Sequence, residues 1–236
     1  MYEVRNIAFS YGRRNVLKDV SFVVSPGEAV GIVGANGAGK TTLLKVLATL
    51  AAPDSGTVMS DGQDALSRPL RYRRQLGYLP ERVALYDDMT VKEYLLYRAA
   101  LKGEPAKRIR RRVSEAAEAC RVEGLLRTPV RRLSAGLAKR VALADALLLR
   151  PRVLLLDDFL SGLDMDMREA SGGILAAAAA FSSVIATGHE VVDLAKWATR
   201  ILVLKDGVIS AEIDTAGHDT AALCARVSAA LSGGAR

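Results

Sequence analysis

The sequence predicts an α/β fold in which a mainly parallel sheet carries an N-terminal antiparallel β subdomain and an inserted α-helical subdomain. Three observations predict it. Glu28-Ala29-Val30-Gly31-Ile32-Val33 reads as a buried strand running into a glycine-rich loop and then a helix-period segment from Thr41 to Leu50, the strand, loop, helix order of an α/β unit. From Val153 onwards apolar, strand-like runs alternate with helical stretches, as in a parallel sheet covered by helices. Between these two parts a long stretch of helical periodicity interrupts the alternation.

In chain order, residues 2–9 and 20–24 read as strands separated by a turn rich in Gly and Arg. The strand at 28–33, the loop at 34–39 and the helix at 41–50 follow, and residues 56–61 return to strand. The inserted segment reads mostly as helices near 90–102, 105–122 and 135–149. In the last of these, Leu137, Val141, Ala144 and Leu148 recur at helical spacing and define one apolar face. Arg150-Pro151 stops that helix, because proline cannot continue the hydrogen-bond ladder. Strands at 153–157, 183–187 and 200–204 complete the sheet. With no internal repeat and no low-complexity linker, residues 1–236 read as a single domain. The helical subdomain is expected at about 84–150 and a short tail at about 214–236.

Half of the 236 residues are hydrophobic and a quarter charged, which excludes a disordered tail and a disulfide knot. A chain of this size can bury roughly 70–75% of its unfolded surface. The longest apolar stretches, such as Ile174 to Phe181, fall well short of the ~18–20 residues of a membrane span. The N-terminus lacks a basic region leading into an apolar one, so no export is expected. Cys120 and Cys224 have neither CxxC spacing nor an adjacent histidine, which argues against a zinc site or a redox pair. The net charge of +7 is unevenly placed: residues 68–150 hold 20 of the 33 Lys+Arg and 9 of the 26 Asp+Glu, so a +11 segment sits on a −4 remainder. The cluster Lys107-Arg108-Ile109-Arg110-Arg111-Arg112 fits a solvated helix face, a nucleic-acid patch or an anionic membrane surface, and the first is the default.

The chemistry is concentrated in two motifs. Gly34-Ala35-Asn36-Gly37-Ala38-Gly39-Lys40-Thr41 satisfies the phosphate-loop pattern and lies between a predicted strand and a predicted helix. Its glycines let successive backbone N–H groups point at phosphate oxygens, and the following helix adds its positive N-terminal end. Lys40 can reach the β and γ phosphates and the Thr41 hydroxyl can ligate Mg²⁺. A nucleoside triphosphate is therefore the expected ligand. Val153-Leu154-Leu155-Leu156-Asp157-Asp158 is an apolar strand ending in acids. It carries the Asp157 carboxylate to the sheet edge where the phosphate loop opens, in position to hold Mg²⁺ through water.

Leu133-Ser134-Ala135-Gly136-Leu137 before this strand and Thr187-Gly188-His189 after it complete an ordered set. Taken together, the chain from about Tyr2 to Ile213 resembles the nucleotide-binding domain of ABC ATPases. The likeness includes Tyr11 as an adenine-stacking aromatic, Tyr78-Leu79-Pro80-Glu81 at the glutamine-loop position and Ser161-Gly162-Leu163-Asp164 as the D-loop. It implies a phosphate-loop NTPase core that binds ATP through Tyr11, Gly34, Asn36, Gly37, Ala38, Gly39, Lys40, Thr41 and Thr42. Mg²⁺ is implied at Thr41, Asp157 and Glu81, with Asp158, His189 and Glu81 as catalytic residues. Two such domains face head to tail in the family, so Ser134 and Gly136 are expected on a partner's nucleotide, in a homodimer or a heterodimer. The resemblance further implies a separate integral-membrane transporter subunit, a place on the cytoplasmic face of the membrane and no nucleic acid. Leu231-Ser232-Gly233-Gly234 matches the signature text more closely than residues 133–136 but has no acidic strand after it, so it is set aside.

The sequence also departs from the family pattern. Asp158 stands where a glutamate general base is usual. Its carboxylate is one methylene shorter, so it sits about 1–1.5 Å further back, a misplacement that can cost ~10²-fold in rate. Two readings stay open: a slowed or regulatory site, or a backbone shift that restores the geometry. Ala135 and Leu137 replace a glycine and a glutamine of the signature, Phe159 and Leu160 replace a proline and a threonine, and Glu81 replaces a glutamine. Tyr-Leu-Pro-Glu at that last position resembles some exporter subunits, which points to export.

Overall fold

A computed structural model describes residues 1–233. One ten-stranded sheet runs through the molecule. Its N-terminal half contains β1 (Tyr2–Tyr11), β2 (Arg14–Val24), β4 (Ser55–Ser60) and β5 (Gln63–Asp64), paired antiparallel. Its other half contains β9 (Arg200–Lys205), β3 (Ala29–Val33), β8 (Ser183–Thr187), β7 (Val153–Leu156) and β6 (Leu76–Leu79), paired parallel in that order. The last strand, β10 (Val208–Asp214), joins the halves, antiparallel to β9 and parallel to β2 through the single register pair Val208↔Asp19.

Strands β3, β7 and β8 are buried at every position, which is why they read as continuous apolar runs: both faces of a parallel sheet are covered. Successive residues still point to opposite faces. Val30, Ile32, Leu155 and Ile185 join Leu43, Leu44 and Leu47 of helix α1 (Lys40–Leu47) in one core. Val33, Leu154, Leu156 and Ala186 join the inserted helices and the C-terminal elements in the other.

The insertion holds α3 (Val91–Leu101), α4 (Ala106–Ala119) and α5 (Ala135–Leu147), preceded by a short α2 (Pro69–Arg73) that packs Tyr72 against Tyr2. Thr90 and Glu93 close a reciprocal capping box at the start of α3, and Ser134 caps α5 by accepting from the Leu137 N–H. The α4 cluster is a solvated face: Lys107, Arg108, Arg110 and Arg111 are exposed while Val113, Ala116 and Ala117 face the core. Helices α6 (Met165–Ala179), α7 (Val191–Ala195) and α8 (Thr220–Ser232) complete the chain. Residues 214–233 of the expected tail include α8, whose Leu223 and Val227 are buried. Gly234 of the second signature-like tetrapeptide and the final two residues lie outside the described residues.

Three expectations change. The second strand begins at Arg14, well before residue 20. Three strands were not foreseen: β5 spans only two residues, β6 lies inside arginine-rich sequence and spans four, and β10 is only half-buried along its length. Finally, α5 is not apolar on one face alone, because Val141 to Leu148 are all buried. Asp145 lies among them at 6% exposure, and its charge is met from α3 and its C-cap residue Lys102. Arg98 and Tyr94 donate to its Oδ2 at 3.0 and 3.2 Å, and the Lys102 ammonium sits 2.8 Å from its Oδ1. A buried carboxylate needs such partners.

Candidate functional site

The site forms where β3 gives way to α1. Gly39 takes φ 105° immediately before the helix, and a Cβ there would lie 2.9 Å from the Leu17 side chain. A Cβ on Gly34 would lie 2.4 Å from the Leu204 carbonyl, so both positions require glycine on geometry alone. Lys40, 8% exposed, donates to the carbonyls of Gly34 at 2.7 Å and Ala35 at 3.2 Å. Burial lowers its pKa, opposed by the carboxylates of Asp158, Asp157 and Glu81.

The neighbouring strand supplies the acids. Asp157 follows β7 and is 1% exposed. Its Oδ1 accepts from the hydroxyls of Thr187 at 2.9 Å and Thr41 at 3.2 Å, while its Oδ2 is buried without a partner. Burial raises its pKa. Glu81 Oε2 lies 3.5 Å from the Thr41 hydroxyl. An orphaned carboxylate oxygen, a hydroxyl and a second carboxylate are hard oxygen donors, the set that suits Mg²⁺.

A cleft of about 410 Å³ collects most of the predicted residues: Tyr11, Asn36, Gly37, Gly39, Lys40, Thr41, Thr42, Glu81, Asp157, Asp158 and His189. Gly34 and Ala38 support the loop from behind. Tyr11 is 53% exposed, and its ring rests edge-on against Phe9 at 4.8 Å, leaving a face free for stacking. Three lining residues were missed: Arg14 and Val16, hidden in a strand whose start was misread, and Thr187, a hydroxyl at the end of an apolar run. Ser134 and Gly136 are not in this cleft. Ser134 is exposed at the tip of α5, and a Cβ on Gly136 would lie 2.9 Å from the Gly162 carbonyl.

Asp158 has an unusual backbone, with φ 44°, a left-handed conformation that costs about 1–3 kcal/mol outside glycine unless its surroundings fix it. They do so here on both sides of the residue. Its N–H donates to Thr187 Oγ1 at 2.9 Å. Its carbonyl accepts from the Ser161 N–H at 3.2 Å and from Lys139 Nζ at 2.6 Å. Lys139, on α5, also donates to the Ser161 carbonyl at 2.7 Å and is 7% exposed. The next residue, Arg140, pairs with Asp164, whose carboxylate caps α6.

A glycine-rich loop and a helix N-terminus at the C-terminal edge of a parallel sheet, beside an acid-tipped strand, define a phosphate-loop NTPase. The comparisons narrow this further. A family model described as ABC transporter matches residues 17–161. A sulfate/thiosulfate import ATP-binding protein of Methylococcus capsulatus is 39% identical over 171 residues, covering 71% of this chain and 49% of that protein. A Nod factor export ATP-binding protein of Burkholderia orbicola is 35% identical over 206 residues, covering 87% of this chain and 68% of that protein. The chain thus spans about half the length of the first relative and about two thirds of the second. A dimeric ATP-binding cassette in a post-hydrolysis state with ADP and Pi matches with TM-score 0.83 at 26% identity, covering 92% of this chain and 100% of that one. The chain belongs to the ABC transporter family of ATP-binding domains.

Proposed function

We propose that the chain hydrolyses MgATP in a head-to-tail dimer and drives a separate membrane-spanning subunit, in the direction of export. One observation carries this reading: the phosphate loop, the acids and His189 share one cleft, while Ser134 and Gly136 stand outside it. A signature that cannot serve its own nucleotide is suited to a partner's, and Ser134 heads a helix whose N-terminus favours a γ-phosphate. Homodimer and heterodimer satisfy this equally. Among the described residues no helix is long and apolar enough to cross a membrane; the separate membrane subunit and the peripheral place on the cytoplasmic face are supported by the family likeness. Export rests on Tyr78-Leu79-Pro80-Glu81 and is supported by the export relative.

In this reading Tyr11 stacks on adenine, the loop from Gly34 to Thr42 holds the phosphates, and Thr41, Asp157 and Glu81 hold Mg²⁺. Bound Mg²⁺ neutralises charge on the β and γ phosphates. Asp158 orients the attacking water and His189 donates to the γ-phosphate as charge builds there. The orphaned Asp157 Oδ2 supports the metal. A second reading, slow or regulatory turnover, is favoured by the short side chain of Asp158. Steady-state ATPase assays of the chain beside Asp158→Glu separate the two. Turnover of ~1 s⁻¹ or more with no gain on substitution removes the regulatory reading. Background turnover raised by the glutamate removes the competent one. Reconstitution with the membrane subunit in vesicles then tests direction, and uptake of substrate into the cytoplasmic compartment contradicts export.

A further inference from the structure

The helix that presents Ser134 outward also grips the turn that carries Asp158. Gly136 approaches the Gly162 carbonyl so closely that a Cβ would meet it at 2.9 Å. Lys139 spans the carbonyls of Asp158 and Ser161 at 2.6 and 2.7 Å, and Arg140 holds Asp164. Of these, only Lys139 reaches the backbone of the proposed base. It is a buried ammonium that donates to two main-chain carbonyls and, among the described residues, forms no ion pair. Burying a charge in this way is costly unless partners meet it, and simple packing would be served by an apolar residue of the same length. Its donation is one of three hydrogen bonds, with those of Thr187 and Ser161, that surround Asp158 at φ 44°, and the one that comes from α5.

We infer that Lys139 is a positioning residue that ties the signature helix to Asp158 of the same chain, so that closure of Ser134 on a partner's nucleotide sets the attack geometry at this chain's own. The inference rests on the roles proposed above for Asp158 and Ser134. Its physical content is that two half-sites, each completed by a different chain, share one rigid connection inside each chain. A shift of about 1 Å in the Asp158 carboxylate is enough to change rate by ~10²-fold, so a connection of two hydrogen bonds can gate turnover without touching ATP.

The test uses Lys139→Met, which keeps length and removes the charge, with Lys139→Gln as a second variant should the first fold poorly. Hydrogen exchange on the nucleotide-free chain reads the tie directly. Amides at 158–163 are expected to exchange at least ~10-fold faster in the variant, with the α1 and β3 amides unchanged, as in local opening. Unchanged exchange in the turn, or a uniform rise everywhere, overturns the inference. In ATPase assays Lys139→Met is expected to lower kcat by about 10- to 100-fold with KM for ATP within about twofold, since the loop is untouched. In an Asp158→Glu background, where the longer side chain tolerates a looser turn, the loss shrinks to a few-fold. Equal losses in the two backgrounds contradict action through Asp158. If wild type shows no turnover, the hydrolysis reading falls by itself and the exchange experiment still decides the tie.

Discussion

The phosphate loop and the signature tip are built from equally short motifs but are held in opposite ways. The loop is satisfied within the chain: its glycines fit against Leu17 and Leu204, and buried Lys40 is bonded to two loop carbonyls. At the tip, the hydroxyl of exposed Ser134 has, among the described residues, only the Leu137 N–H of its own helix as a partner. The loop is a finished receptor and the tip an unfinished one. Substitutions in the first should therefore act on a single chain, and those in the second only on an assembly.

The sharpest break is His189→Ala, proposed to remove a donor at the transition state. It should lower kcat by about 10²–10³-fold while ATP binding, read by equilibrium titration, stays intact; retained turnover removes the role. Lys40→Ala tests the finished half. Loss of a charge-assisted bond worth about 1.5–3 kcal/mol should weaken ATP binding by about 10- to 100-fold in the isolated chain. Ser134→Ala tests the unfinished half. It should leave single-chain ATP affinity within about twofold yet reduce ATP-dependent dimerisation by about 10-fold, near the lower end of the about 1.5–3 kcal/mol of a hydrogen bond to a charged group. A fall in single-chain affinity would erase the distinction. The smallest effect is expected at Asp157→Asn. Because burial raises the Asp157 pKa, its ionised form costs stability above the unfolded pKa, and that cost fades as pH falls through the folded value. The amide should therefore raise Tm of the nucleotide-free chain near pH 7, by about 2–4 °C for each ~1 kcal/mol, and the gain should vanish toward low pH.

Much of this contrast is visible in the sequence. Strand β3, the loop and α1 are legible because chain-local patterns dictate them: five apolar residues, glycines at fixed spacing and a helix period. Asp157 is legible because an apolar strand ends on it. What escapes is whatever depends on distant partners. The length of β2 is set by its ladder with β1, and β10 is a strand because it has β9 to pair with. Arg14 and Val16 enter the cleft only through that pairing. Lys139 reads as an ordinary helix-surface lysine, and nothing local to it announces the Asp158 carbonyl. The φ of Asp158 is likewise imposed by Thr187, Ser161 and Lys139, not by its own preference.

Asp145 has a mechanical meaning beyond charge balance. By binding Tyr94, Arg98 and Lys102 it clamps α3, from Tyr94 to its C-cap, to the C-terminal end of α5. The two helices cannot slide past one another without breaking the clamp, so they behave as a stiff beam. One end of that beam is the exposed Tyr97 and Leu101 surface of α3 and the other is Ser134. That surface and the tip are thus joined through a single buried carboxylate.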